Sequence, residues 1–411
     1  MALIGTTVLV WMHRDSILFW DTVQLAGKHG LWFHDTGLQW LPTTLDSGNP
    51  PTLGLYLAAM WRGLGKSLMV SHLSMLPFLW LNVLLIWKIG DDILLRPTPF
   101  LAAALLCPFY LGHSILVSPD IVLMTGFLAC LHGHLSKSSR WMLVGGLLLS
   151  VVSMRGQMIL CCWVAFLFLS SLLSKSSLKV SVRKLSILLP GLLLIMTYQG
   201  WHYVQQSWVG FHDDMPWAPS FQWVGLKGWV RQVGLFGWRM LDHGLVFATV
   251  LVGLHANRIR HMPHRLGLLG LMVGGLLFVL LTPLTGLLNH RYFLPLIVIV
   301  LLMAFWILEQ RGWSRWAWLL VVLIASGNFL IYPDKIAQGW DSTAAHWPFY
   351  ELEKEMHDYI QSEGIELGRV GTAFPLRTSR RHLNLKASTT GHETYDLGSS
   401  KYILYLSLIH I

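Results

Sequence analysis

Apolar runs approaching the width of a bilayer recur from the start of the chain to about position 332, and this constrains the fold more than any other feature. A membrane helix needs roughly 20 predominantly apolar residues, and about eleven segments come near that length. They lie near 1–12, 69–89, 97–112, 121–135, 141–154, 158–174, 185–204, 244–256, 266–283, 292–308 and 315–332. Leucine dominates them, glycine is scattered, and none alternates with period two over the length of a barrel strand. The expected fold class is mainly α, a polytopic membrane helical bundle over 1–332.

Composition agrees. Charged residues make up 12% of the chain, hydrophobic residues 54%, and mean hydropathy is +0.53. These values exclude a disordered protein, a disulfide scaffold and an ordinary cytosolic enzyme. Lys plus Arg exceeds Asp plus Glu by 30 − 21 = 9. In a membrane protein such an excess first reports orientation, so no nucleic-acid partner is expected. Many tryptophans stand at the ends of apolar runs (Trp11, Trp20, Trp80, Trp141, Trp201, Trp313, Trp316), where amphipathic rings favour the headgroup level. Cys107, Cys130, Cys161 and Cys162 fall inside apolar runs without zinc-ligand spacing.

Basic residues set the sidedness. With the N-terminus inside, the inner connections carry Lys88 and Arg96, Lys137 and Arg140, Lys175 to Lys184, Arg258 to Arg265, and Arg311 and Arg315. Residues 13–68 and 205–243 then become long outer loops. The segment 333–405 follows on the same side as a small extracytoplasmic α/β domain, with a polar helical pattern over 349–360 and strand-like stretches at 368–374 and 401–405. The first run is short for a crossing, so the natural start is expected upstream of Met1. Residues 406–411 read as translated library adapter, so the natural chain is expected to continue beyond Tyr405 and the outer domain to be incomplete.

Ionisable residues beside membrane helices are costly and call for a reason. Asp21, at the exit of the first run, reads either as a cap for an interfacial helix carrying Val23, Ala26 and Gly27 on one face or as a catalytic base. Asp120, in Ser118-Pro-Asp120, reads as a cap or as one of two carboxylates facing an outer cavity. Arg155 and Arg291 are outer arginines against the positive-inside trend. They suit either a salt bridge to those carboxylates or a phosphate. Pro50-Pro51 opens a helix expected to lie along the outer surface, with Arg62 and Lys66 toward lipid headgroups. Asp213-Asp214 reads as a solvated turn or a cation site.

Four of these features, in order and on one side, resemble the C-type polytopic glycosyltransferase superfamily, especially its Rgt-like and protein-mannosyltransferase-like branch. They are Asp21 after Arg14-Asp-Ser-Ile-Leu-Phe-Trp; Gly48-Asn-Pro-Pro51 followed by Leu-Gly-Leu-Tyr; Ser118-Pro-Asp120; and His290-Arg-Tyr-Phe-Leu-Pro295. The family often has Asp-Glu where this chain has Asp21-Thr22, and His where it has Asn49. The resemblance implies inverting sugar transfer from a polyprenyl-phosphate donor to a glycan, lipid or protein acceptor. Asp21 and Asp120 would be catalytic, and Asn49, Arg62, Arg155, Arg291 and Tyr292 would bind substrate. Use of a divalent cation stays open, as does the metal site. The implied location is a bacterial inner membrane with the site facing the periplasm.

Three rivals remain at the level of sequence. A transporter or flippase would place ionisable groups near the bilayer midplane, whereas here they gather at the outer rim. A polysaccharide polymerase or ligase of another polytopic fold would leave the first-loop Asp and Asn-Pro-Pro unexplained. A non-catalytic relative would account for Thr22 and Asn49.

Overall fold

The computed structural model describes residues 1–174, 178–284, 288–330, 343–386, 391–394, 396, 400 and 402–404. The adapter-like 406–411 and the expected domain boundary near 333 lie outside them. Every apolar run of the sequence carries helix within the described residues. Among the described residues, four helices are long and apolar enough to cross a membrane: Leu68–Ile93, Met154–Leu173, Pro263–Leu281 and His290–Gln310. Ala2–Met12, Pro97–Leu106, Ser139–Val152 and Leu245–Leu254 are shorter apolar helices. The run at 97–112 is divided at Cys107, where Pro108 opens a second short helix, Pro108–His113. Proline lacks the N–H that would continue the first ladder.

Two helices form the centre. Pro119–Leu135 is buried at every position except His134, and Leu294–Gln310 is buried from Leu294 to Leu308. Neither shows an amphipathic stripe, which is what a helix surrounded by others requires. Small residues bring Ser139–Val152 against Pro119–Leu135: a Cβ on Gly145 would stand 2.6 Å from the Cys130 nitrogen, and one on Gly133 would stand 2.6 Å from the Met142 nitrogen. Backbone approach of this kind is how membrane helices gain packing energy without a hydrophobic driving force between them.

The two ends of Pro119–Leu135 differ chemically. At its start, Asp120 meets arginines. At its far end, His132 Nδ1 lies 3.3 Å from Asp92 Oδ2, and His134 Nε2 lies 3.2 Å from the His264 carbonyl oxygen. A helix of 17 residues spans about 25 Å at 1.5 Å per residue, so these are two separate polar ends of one bundle.

The first loop and the C-terminal segment pack on each other. Leu18 donates its N–H to the Leu383 carbonyl at 2.8 Å. A Cβ on Gly27 would lie 2.5 Å from the His382 carbonyl oxygen. The C-terminal segment holds the helix Trp347–Ser362 and three short parallel strands in the order Glu393–Thr394, Val370–Thr372, Tyr402–Ile403. This helix overlaps the helical pattern read over 349–360, and the strands Val370–Thr372 and Tyr402–Ile403 fall within the stretches read at 368–374 and 401–405.

Candidate active site

Asp21 is held on a strained turn. Trp20 has φ +53°, a conformation that a bulky side chain rarely adopts. The turn is closed by Thr22: its Oγ1 accepts the Phe19 N–H and donates to the Phe19 carbonyl, each at 2.7 Å. Thr22 is 2% exposed. The position where the resembled family often carries a second carboxylate therefore serves here to shape the turn that presents Asp21. After it, Val23–Lys28 forms a π-type turn running into the helix His29–Thr36. Val23, Ala26 and Gly27 are all buried, as their shared face predicts.

Neither aspartate is a cap. Asp21 pairs with Arg291. The cap of Pro119–Leu135 is Ser118, whose Oγ accepts the Asp120 N–H at 3.1 Å. Asp120 occupies the first turn, where a carboxylate is favoured by the helix dipole. Its Oδ1 lies 2.6 Å from Arg155 Nη1, and its Oδ2 lies 4.0 Å from Arg291 Nε. Arg155 sits in the first turn of Met154–Leu173, and Arg291 in the short turn His290–Phe293 that opens the second central helix. Four separate segments thus converge on a cluster of two carboxylates and two guanidinium groups.

Tyr292 completes it. The Arg155 guanidinium carbon lies 4.1 Å from the Tyr292 ring centroid and that of Arg291 lies 5.1 Å away. Exposure is graded: the Asp120 and Arg291 side chains are 3% and 5% exposed, whereas those of Asp21 and Arg155 are 22% and 24% exposed. The buried pair is fixed on the rigid centre, and the accessible pair faces outward. A narrow apolar cleft begins at Arg155 and Tyr292 and continues along Met158, Leu276 and Leu280. An anion with an apolar tail would fit this combination.

Asn49 meets the helix that carries Arg155 rather than the charged groups themselves. Its Oδ1 accepts the Met154 N–H at 3.0 Å, satisfying a backbone donor at the start of the helix that carries Arg155. The structure does not bring Arg62 to the cluster. Arg62 lies near the end of the helix Thr52–Leu64 and donates to the carbonyls of Phe33 and His34 at 2.7 and 3.2 Å. Asp213 and Asp214 are exposed, consistent with the solvated-turn reading.

Sequence reading missed two buried groups. His113 Nε2 lies 3.9 Å from Asp120 Oδ2. His290 Nε2 lies 2.8 Å from Asp242 Oδ2, with the His290 ring stacked on Phe109 at 4.3 Å. Because His290 precedes Arg291, this network fixes the turn from which Arg291 reaches Asp21. The signal was available: His113 ends an apolar run, and Asp242-His243 interrupts polar and apolar segments.

The fit to a metal ion is poor. Asp242, His243 and His290 lie close enough to share an ion. Arg239 Nη1, however, is 3.3 Å from both Asp242 Oδ2 and His290 Nε2, supplying the positive charge an ion would bring. Asp21 and Asp120 likewise have guanidinium partners, so a divalent cation would have to displace an arginine.

No protein-family model and no curated protein matches the chain. Two solved structures share its fold: ArnT from Cupriavidus metallidurans bound to undecaprenyl phosphate, with a TM-score of 0.51, and the same protein in the apo state, with 0.52. Each is 13% identical to this chain, and the match covers 76% of this chain and 60% of ArnT, so the chain spans less than two thirds of that protein's length. Over 76% of its length the chain shares the fold of these two ArnT structures.

Proposed function

We propose that this protein is an integral-membrane glycosyltransferase that moves a sugar from a polyprenyl-phosphate donor to an acceptor on the outer face, with inversion. The observation that carries the reading is the convergence of Asp21, Asp120, Arg155 and Arg291 beside the apolar cleft at Tyr292. That the ArnT structure of the same fold was solved with undecaprenyl phosphate bound supports the choice of donor. The basic inner connections support an outer-facing site, in a bacterial inner membrane facing the periplasm. Residues 1–332 would be the transferase bundle of about eleven spans and 333–405 an outer domain.

The chemistry follows from the charges. The donor phosphate lies against Arg155 and Arg291, and its polyprenyl chain runs into the cleft along Met158 and Leu280. Phosphate binding draws Arg291 from Asp21 and leaves that carboxylate available as a base. Asp21 accepts the proton of an acceptor hydroxyl while the acceptor oxygen bonds to the anomeric carbon. The bond from that carbon to the phosphate oxygen breaks, and its electron pair leaves with the polyprenyl phosphate. Negative charge grows on the leaving oxygen in the transition state, where the two arginines stabilise it most. Asp120 touches no reacting atom in this scheme and holds both arginines in place.

The test uses membranes carrying the protein and a panel of radiolabelled polyprenyl-phosphate sugars, with release of polyprenyl phosphate as the readout. Wild type is expected to consume at least one donor, and Asp21→Asn to be slower by about 100-fold or more. Equal rates in the two proteins would overturn the assignment of Asp21. Solute movement without donor consumption would favour a transporter.

A further inference from the structure

A sizeable cavity lies apart from the arginine cluster. It encloses 740 Å³ between the first loop, the segment Lys66–Met69 and the C-terminal helices. That volume lies within the range of about 300–1,000 Å³ typical of small-ligand sites. The floor of the cavity includes Ser16 and Ile17. Ile17 precedes Asp21 by four positions, so their Cα atoms can be at most about 14 Å apart.

Its lining is charged but balanced. Asp15, Glu351, Glu353 and Asp358 supply four carboxylates, and Lys66, Lys354, Arg380 and Lys386 supply four cations. Lys66, expected toward lipid headgroups, is among the exposed residues that line this cavity. His13 also lines it, and burial together with nearby His72 lowers its pKa to about 4, so it adds no charge at neutral pH. A strongly anionic ligand has no net attraction to such a lining, and neither has a cation.

The residues that line the cavity nevertheless carry buried polar groups in want of partners. The Arg380 side chain is 6% exposed and pairs with Glu353. Its Nε, the Trp347 Nε1 and the His357 Nδ1 are buried and have no hydrogen-bond partner among the described residues. A buried donor left unsatisfied costs about 1–3 kcal/mol, so a small shift of these three lining side chains that turned the groups toward ligand hydroxyls would be favourable. Trp347 and Tyr350 add flat apolar faces beside them, with ring centroids 5.2 and 6.0 Å from that of His13. Separated donors and acceptors, aromatic faces and zero net charge together match a chain of sugar rings.

We propose that this cavity binds a neutral oligosaccharide, which makes the acceptor of the proposed transfer a neutral glycan. The word acceptor rests on the transfer reading; binding of the glycan does not. The protein is placed in nanodiscs, which avoids sugar-headed detergents, and titrated by calorimetry without any lipid-linked donor. The probes are cellotetraose, maltotetraose and chitotetraose, with tetragalacturonate as an anionic control. At least one neutral tetrasaccharide is expected to bind, with affinity reduced tenfold or more in both Trp347→Ala and His357→Ala. Two variants are used so that a folding defect in one leaves the other informative. Heat only with tetragalacturonate would make the cavity an anion site and overturn the proposal. So would no binding of any neutral sugar, or binding indifferent to both substitutions. Failure of sugar transfer with these binding results intact would count against the proposed reaction alone.

Discussion

The guanidinium of Arg155 lies 4.1 Å above the ring of Tyr292 while its Nη1 is 2.6 Å from Asp120. One arginine is thus held both by an aromatic face and by a carboxylate, which narrows the positions its remaining N–H groups can take. Cation–π contacts contribute about 0.5–2 kcal/mol depending on desolvation. Tyr292→Leu is therefore expected to raise KM for the lipid-linked donor by about three- to tenfold, and Tyr292→Phe, which keeps the ring but loses the hydroxyl that accepts from Arg291 Nη2 at 3.3 Å, to raise it less. Equal KM values for the Leu and Phe variants would show that the ring does not hold Arg155.

Asp120 has a different task from Asp21. It is 3% exposed in its side chain and lies against two arginines, one of them almost fully buried. Removing one partner of a buried ion pair costs about 3–5 kcal/mol because the other charge is left uncompensated. Asp120→Ala should lower thermal stability in detergent markedly. Asp21→Ala, at a more accessible position, should lower it much less while abolishing transfer. Size-exclusion recovery after graded heating separates the two, and the reverse order of stabilities would contradict the division of labour.

How far the sequence reveals this site depends on the residue. Asp21, Asp120, Arg155 and Arg291 are visible because the bilayer makes any charge beside an apolar run conspicuous, and the structure brings all four together. Arg62 is equally conspicuous, yet its partners are backbone carbonyls, and carbonyls leave no trace in a sequence. The cap assignments for Asp21 and Asp120 fail for a related reason: local capping chemistry is favourable, but tertiary ion pairs are stronger, and Ser118 takes the cap. The helical runs are legible from hydropathy. The break at Cys107–Pro108 and the packing of the first loop on Leu383 depend on contacts between distant segments and are not.

Thr22 offers a test of the strained turn. Its hydroxyl makes two hydrogen bonds to Phe19, and Phe19 itself is 1% exposed. Thr22→Val keeps the shape and removes both bonds, leaving a buried N–H unsatisfied at about 1–3 kcal/mol. The expected result is a fall in kcat larger than any change in donor KM, because the turn orients Asp21 and not the phosphate groups. Thr22→Ser retains the hydroxyl and should restore most of the rate. A Val variant with wild-type kcat would show that Asp21 is positioned by Arg291 alone.

Asn49 acts at one remove. Its Oδ1 accepts the Met154 N–H at 3.0 Å, next to Arg155. Losing such a helix-start acceptor typically costs about 1 kcal/mol. Asn49→Ala should weaken donor binding severalfold, and Asn49→Asp, which keeps the acceptor oxygen, should not. If both variants lose donor affinity equally, Asn49 contacts the donor rather than the helix.

Histidines outside the bundle predict the pH dependence of stability. His13, His382 and His392 each have a pKa lowered from 6.5 to about 4: burial is the main cause, reinforced by His72 at His13, by Lys28 and Arg381 at His382, and by Arg380 and His357 at His392. In the unfolded chain these imidazoles take up protons as pH falls below 6.5, while the folded chain holds them neutral until about 4. Lowering pH through that window therefore favours the unfolded state, and the loss levels off once the folded imidazoles are also protonated. Stability should be full above about pH 6.5 and should decline steadily toward pH 4. His382→Gln removes one of the three protonations and keeps a similar volume, so its thermal midpoint in detergent should fall less steeply between pH 6.5 and 4.5 than that of wild type. An identical slope in the variant would mean that His382 titrates alike in both states, and that its packing beside Lys28 and Arg381 does not hold it neutral.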